Sequence, residues 1–182
     1  MPHLTENTQL GGQALRRVVY TAEAIQARVR ELAAEISRTY SAADRLLLVG
    51  TLKGSFVFLA DLARAIDLPL HVDFLMASSY GTGQVSTGEV RLLYDPSSEM
   101  KGRAVVLVED IVDSGATLSR LIPRLEARQP ASLEVCTLLH KRLVPVEREP
   151  RWVGFDAPDE FLVGYGLDYA EDFRHLPYIA SL

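Results

Sequence analysis

Glu109 and Asp110 end an unbroken apolar run, Ala104 to Val108, and this pair is the most chemically loaded feature of the chain. Charges at the end of a buried strand cost desolvation, so Ser or Asn would serve there more cheaply unless the acids bind something. The alternative is a solvated strand end. After Ile111 and Val112 come Asp113, Ser114 and Gly115, then Thr117 ahead of Leu118, Leu121, Ile122 and Leu125 at helical spacing. Strand, acids, glycine turn and helix in that order suit a phosphate, which the free N–H groups and dipole of a helix start favour. Asp113 is either a proton acceptor or an Asx-type turn residue. Taken alone, Lys141 reads as a solvated lysine past a strand end, and Phe161 as a buried strand aromatic.

The elements that position these groups follow from periodicity. Thr21 is placed to cap a helix in which Ile25, Val29, Leu32 and Ile36 share one face, running to about Tyr40, with Tyr20 and Ile25 spaced as a hydrophobic staple. Leu46 to Val49 predict a strand that ends in Gly50-Thr51-Leu52-Lys53-Gly54-Ser55, and Phe56, Leu59, Ala60, Ala63 and Ile66 predict a second helix. His71 to Ala77 and Val90 to Tyr94 predict strands around a small, hydroxylated segment, Ser78 to Gly88. That segment has little apolar surface to pin it and is expected to move. The helix after Thr117 is expected to reach about Arg128, with a bend or late start at Pro123. Ser132 to Leu139 predict the next strand, and Trp152 to Phe155 and Phe161 to Gly164 the short strands of a smaller cap. Strands alternating with helices predict an α/β protein with a doubly wound, mainly parallel sheet.

Composition removes several classes. With 182 residues, 48% of them hydrophobic, one domain with one core is expected. A net charge of −5 argues against broad binding to nucleic acid or to an anionic membrane. No run approaches a membrane span, and MPHLTENTQLGGQ has no apolar core of a signal peptide. The lone Cys136, in an apolar context, points to a core thiol and a reducing cytoplasm. His3, His71, His140 and His175 show no ligand spacing for zinc, and neither GTLKGS nor GTGQVS completes a P-loop or a dinucleotide fingerprint.

VVLVEDIVDSGAT as a whole resembles the phosphoribosyl pyrophosphate motif of the type I phosphoribosyltransferases. LLLVGTLKGSFVFLADLARAI, SSYGTGQVSTGEV, LLHKR and VGFDAPDEFLVGYGLDYAEDFRHLPYI are similar, in order, to the hypoxanthine-guanine members of that family. The resemblance covers nearly everything from Thr21 onward. It implies the type I phosphoribosyltransferase fold, a twisted, mainly parallel sheet flanked by helices with a small hood. It further implies a single domain over 1–182, with a polar tail over 1–18, a mobile lid over 78–89 and the hood over 150–182. The implied reaction moves the 5-phosphoribosyl group from phosphoribosyl pyrophosphate to N9 of hypoxanthine or guanine, giving IMP or GMP and pyrophosphate.

By the same resemblance, Glu109 and Asp110 accept hydrogen bonds from the ribose hydroxyls. Asp113, Ser114, Gly115, Ala116 and Thr117 cradle the 5′-phosphate, where Ala116 replaces the larger or basic residue common in the family. Asp113 would take a proton at purine N7. Lys141 would donate to the 6-oxo group, Phe161 would stack on the base, and Leu162 would offer backbone groups to its edge. Asp168 would lie on the base side as a further purine-binding residue and, with Glu109 and Asp110, would serve Mg²⁺. Arg174 and the Lys53-Gly54 backbone would bind pyrophosphate, with a cis peptide expected between Lys53 and Gly54. Ser79 and Tyr80 belong to the implied lid. His140 stands where many bacterial members have an acid. The expected partners are phosphoribosyl pyrophosphate and 6-oxopurine bases, with no nucleic acid or membrane, in a homodimer or homotetramer. Two rivals are a xanthine-preferring enzyme and a non-catalytic sensor of phosphoribosyl pyrophosphate that binds nucleic acid. The sensor would need a basic face, which this acidic chain does not suggest.

Overall fold

β5, Ala104–Val112, is the centre of the molecule because both of its faces are covered by helices. Val105 and Leu107 point into one core with Leu118, Leu121, Ile122 and Leu125 of α3 (Ala116–Glu126), while Ala104, Val106 and Val108 point into the other. That second core holds Ile25, Val29, Leu32 and Ile36 of α1 (Ala22–Thr39) and Phe58, Leu59 and Leu62 of α2 (Phe56–Ala65). A strand buried on both faces needs no alternation, hence the unbroken apolar run. The computed structural model describes residues 14–78 and 91–182.

Among those residues the larger sheet has six strands in the order β4-β3-β2-β5-β6-β7. β2 (Leu47–Leu52), β3 (His71–Ser78), β5, β6 (Ser132–His140) and β7 (Trp152–Asp156) are parallel to their neighbours, and β4 (Arg91–Tyr94) is antiparallel to β3. A three-stranded antiparallel hood, β1 (Arg17–Tyr20), β9 (Ile179–Ser181) and β8 (Leu162–Val163), joins the two ends of the chain. The expected α/β class and mainly parallel sheet are thus borne out. No helix among the described residues is long and apolar enough to cross a membrane.

Thr21 caps α1 as expected, its Oγ1 accepting from Ala24 N at 3.3 Å. Other boundaries move for identifiable reasons. The acids lie inside β5 because β6 extends the ladder beyond them, pairing Glu109 with Thr137 and Val112 with His140, whereas β2 stops pairing at Val108. α3 runs through Pro123 without a late start, with that residue on the exposed face of the helix. Trp152–Asp156 was expected in the cap. It is instead the sixth strand of the main sheet, with Trp152 opposite Cys136 and buried in the core, so the hood starts after Asp156 and not at 150. The tail expected over 1–18 ends earlier, because Arg17 and Val18 pair with Ser181 and Ala180. The expected lid, with Ser79 and Tyr80, lies outside the described residues apart from Ser78, the last residue of β3.

Candidate active site

At the carboxyl edge of β2 and β5, Glu109 is 4% exposed, with Oε2 accepting from Thr51 Oγ1 at 2.5 Å and Oε1 buried without a partner. Burial, and then the neighbouring Asp110 charge, push its carboxyl up to about 8. Asp110 Oδ1 accepts from Ile111 N at 2.8 Å; burial raises this carboxyl to about 6, with Arg174 working in the opposite direction. Both acids therefore hold a proton more tightly than usual when nothing occupies the site.

Opposite them stands the hood. Arg174 Nη2 lies 2.8 Å from Asp168 Oδ1, Nη1 donates to Gly166 O at 2.8 Å, and Nε is buried without a partner. Asp168 Oδ2 accepts from Glu171 N at 2.9 Å, and Glu171 Oε2 meets Lys53 Nζ at 2.9 Å. Lys53, Glu171, Arg174 and Asp168 thus form one ionic chain from the β2 loop into the hood. Gly54 is wedged beneath it: a β-carbon there would lie 1.5 Å from Asp110 Oδ2, and one on Gly166 would lie 2.1 Å from Gly54 O. The cis peptide is Leu52–Lys53, one bond earlier than the Lys53-Gly54 expected, so it precedes the lysine and leaves Lys53-Gly54 trans.

Beyond β5 the chain turns at Gly115, whose φ of +73° favours glycine, and α3 begins at Ala116. A β-carbon on Gly115 would lie 2.7 Å from Val146 Cγ1. The helix has no side-chain cap, and its first ladder bond runs from Ser119 N to Gly115 O, which leaves early amides for a ligand. Ser114 and Thr117 are exposed beside them, with Ser114 Oγ accepting weakly from Ala116 N at 3.4 Å. Lys141 Nζ lies 3.2 Å from Asp113 Oδ2. Phe161 is 54% exposed and meets Tyr169 edge-on at 5.6 Å between ring centroids, while Leu162 is buried in β8.

The expected residues fall into three linked groups: Lys53, Gly54, Glu109, Asp110, Asp168 and Arg174; Asp113 to Thr117 with Lys141; and Phe161 with Leu162 in the hood. Thr51, Gly166 and Glu171 were not anticipated. Gly166 and Glu171 lie within two or three residues of Asp168, and that proximity was the available signal; Thr51 had none beyond its strand end. Among the described residues no three His, Cys, Asp or Glu side chains converge as a metal cage. Burial pushes the Cys136 thiol up, in line with a core thiol.

Acids in the central strand, feeding a glycine turn and a helix start under a hood, are what the type I phosphoribosyltransferase fold gathers at its carboxyl edge, and this chain has that fold. The chain belongs to the phosphoribosyl transferase domain family, whose model matches residues 18–170. It is 48% identical to the hypoxanthine phosphoribosyltransferase of Salmonella typhimurium, over 87% of this chain and 90% of that protein. It is also 49% identical to the hypoxanthine-guanine phosphoribosyltransferase of Mycobacterium avium, over 92% and 86% respectively. The solved hypoxanthine phosphoribosyltransferase of Staphylococcus aureus superposes with a TM-score of 0.89 at 41% identity, covering 100% of this chain and 96% of that one.

Proposed function

We propose that this chain is a purine-salvage transferase that moves the 5-phosphoribosyl group from phosphoribosyl pyrophosphate to N9 of hypoxanthine or guanine. The bond from C1 to the pyrophosphate oxygen breaks, the bond from C1 to N9 forms, and IMP or GMP leaves with pyrophosphate. The observation that carries this reading is the Glu109–Asp110 pair, Glu109 buried with Oε1 unmet and Asp110 half-buried beside it, leading directly into the Gly115 turn. Ribose hydroxyls would supply the missing donors. Asp113 to Thr117 would hold the 5′-phosphate, and the unpartnered Nε of Arg174, with the Lys53-Gly54 backbone, the pyrophosphate. Asp113 would take the N7 proton. Lys141, a donor without acceptor capacity, would read the 6-oxo group and reject adenine's amino group. Phe161 would stack on the base and Leu162 would present backbone to its edge.

The carboxylates of Asp168, Glu109 and Asp110 are the hard oxygen donors that Mg²⁺ takes, usually with substrate phosphates completing the set. Bound there, the ion would neutralise charge on the pyrophosphate. We read the chain as a single cytoplasmic domain, consistent with its lone buried thiol. We further propose a homodimer or homotetramer, for which the exposed apolar side chains of Phe56, Val72, Leu93 and Tyr94 are available as contacts. The test is nucleotide formation from phosphoribosyl pyrophosphate and Mg²⁺ with hypoxanthine, guanine, xanthine or adenine in separate reactions. Product with hypoxanthine or guanine and none with adenine is expected. Silence with all four from folded protein that still binds phosphoribosyl pyrophosphate would overturn the reading.

A further inference from the structure

His140 is 1% exposed, and neither of its ring nitrogens has a hydrogen-bond partner. A buried imidazole always carries at least one N–H, so leaving both nitrogens unmet is costly unless a partner comes within reach. The candidate is Glu149, whose Oε2 lies 3.8 Å from Nδ1, less than an ångström beyond bonding range. Glu149 sits near the end of the connection over 141–150, and its side chain is largely exposed, so it is free to close that gap.

That connection touches the phosphate turn. It starts where Lys141 N donates to Val112 O at 2.9 Å and Lys141 Nζ meets Asp113. Val146, in its middle, stands against Gly115, and Arg148 ties its far end to Glu126 of α3 and to Leu133 O. Near its start Arg142 bonds Asp156 on β7 and lies 3.9 Å from Glu149. A shift that brings Glu149 onto His140 therefore acts on the segment that walls the turn. A glycine in a left-handed turn is permissive, and whatever holds it in place before a ligand arrives lowers the ordering cost of binding.

The geometry points to His140 as a positioning residue for the phosphate cradle: with Glu149 it latches the 141–150 connection, and Val146 of that connection holds Gly115 in its turn. This rests on the reading that 113–117 bind the 5′-phosphate. A histidine that merely filled the core would be replaced by Phe without selective effect on phosphoribosyl pyrophosphate.

The test is steady-state kinetics on the full chain with His140→Phe, Glu149→Ala, the double variant and His140→Gln. Each of the first two raises KM for phosphoribosyl pyrophosphate about three- to tenfold, the range of one partly transmitted hydrogen bond to a charged group. The kcat and the purine KM stay put, the double variant is no worse than either single, and His140→Gln, which keeps a donor, recovers most of the loss. Unchanged KM in Glu149→Ala, an exposed position that leaves folding intact, overturns the latch even if His140→Phe does not fold. Multiplying effects in the double variant overturn it as well. A wild-type chain that forms no nucleotide overturns the site reading and the latch together, whereas an active wild type with indifferent variants overturns the latch alone.

Discussion

Gly54 and the Asp110 carboxylate compete for one space: a β-carbon on residue 54 would lie 1.5 Å from Oδ2. On its other side the loop packs closely on Gly166, where a β-carbon would lie 2.1 Å from Gly54 O, so there is little room to retreat. Gly54→Ala must therefore turn the Asp110 side chain out of the site. The expected outcome is at least a tenfold loss of affinity for phosphoribosyl pyrophosphate with a melting temperature within a few degrees of wild type, since only a side chain has to move. Gly166→Ala should do the reverse. Its neighbour is backbone and its φ is +102°, so stability falls first. Thermal melts beside ligand titrations check both, and equal behaviour of the two variants would refute the wedge.

Lys141 and Asp113, 3.2 Å apart, are separable by what each loses. Asp113→Asn keeps the size and the turn but cannot accept the N7 proton, so kcat should fall by about 10² to 10⁴ with little change in affinity for phosphoribosyl pyrophosphate. Lys141→Gln supplies both a donor and an acceptor at the 6-position. It should narrow an expected discrimination against adenine of about 10⁴ by at least tenfold, read as the ratio of kcat/KM values for hypoxanthine and adenine. Undiminished turnover in the first variant, or an unaltered ratio in the second, removes the assigned role.

Much of this was legible locally, because local pattern carries it. The apolar run of β5, the acids, the Gly115 turn and the faces of α1 and α3 are all written in consecutive residues, and each was found at its expected place to within a few positions. What was not legible depends on partners distant in sequence. Nothing local says that β6 extends β5 past Glu109, that Trp152 joins the main sheet opposite Cys136, or that Arg17 meets Ser181 at the other end of the chain. Thr51 was missed for the same reason, since its partner Glu109 is 58 residues away, whereas Glu171 combines local bonds to Asp168 and Arg174 with a reach of 118 residues to Lys53.

The raised carboxyl of Glu109 makes stability depend on pH in a direction opposite to that of a salt-bridged acid. Its folded value of about 8 exceeds that of an unfolded glutamate, so the native state binds the extra proton. Its contribution is full below the unfolded value and is lost as pH rises through about 8. Asp110 does the same through about 6. The empty protein should melt lower at pH 9 than at pH 6, and Glu109→Gln should flatten that slope while raising the melting temperature at pH 9. The variant should nonetheless bind phosphoribosyl pyrophosphate more weakly, because its amide nitrogen cannot accept from ribose. A wild-type melting temperature that climbs from pH 6 to pH 9 would contradict the burial of this charge.

Asp168 offers one carboxylate, already bonded to Arg174 and to the Glu171 amide, and no third metal-ligating side chain joins it and its neighbours among the described residues. Such a site binds Mg²⁺ weakly by itself and better once substrate oxygens complete the shell. The melting temperature should thus be indifferent to millimolar Mg²⁺ or to a chelator in the empty protein. With phosphoribosyl pyrophosphate or pyrophosphate present, Mg²⁺ should add stability in proportion to the logarithm of ligand excess. Asp168→Asn should weaken that joint effect and also lower the empty protein's melting temperature by a few degrees, because an amide keeps one oxygen for the Glu171 N–H but sets its NH₂ against the Arg174 guanidinium. Differential scanning calorimetry over the four combinations of Mg²⁺ and pyrophosphate decides the matter. A large shift with Mg²⁺ alone would mean that the protein holds the ion in a cage of its own, and the assignment to Asp168 would fail.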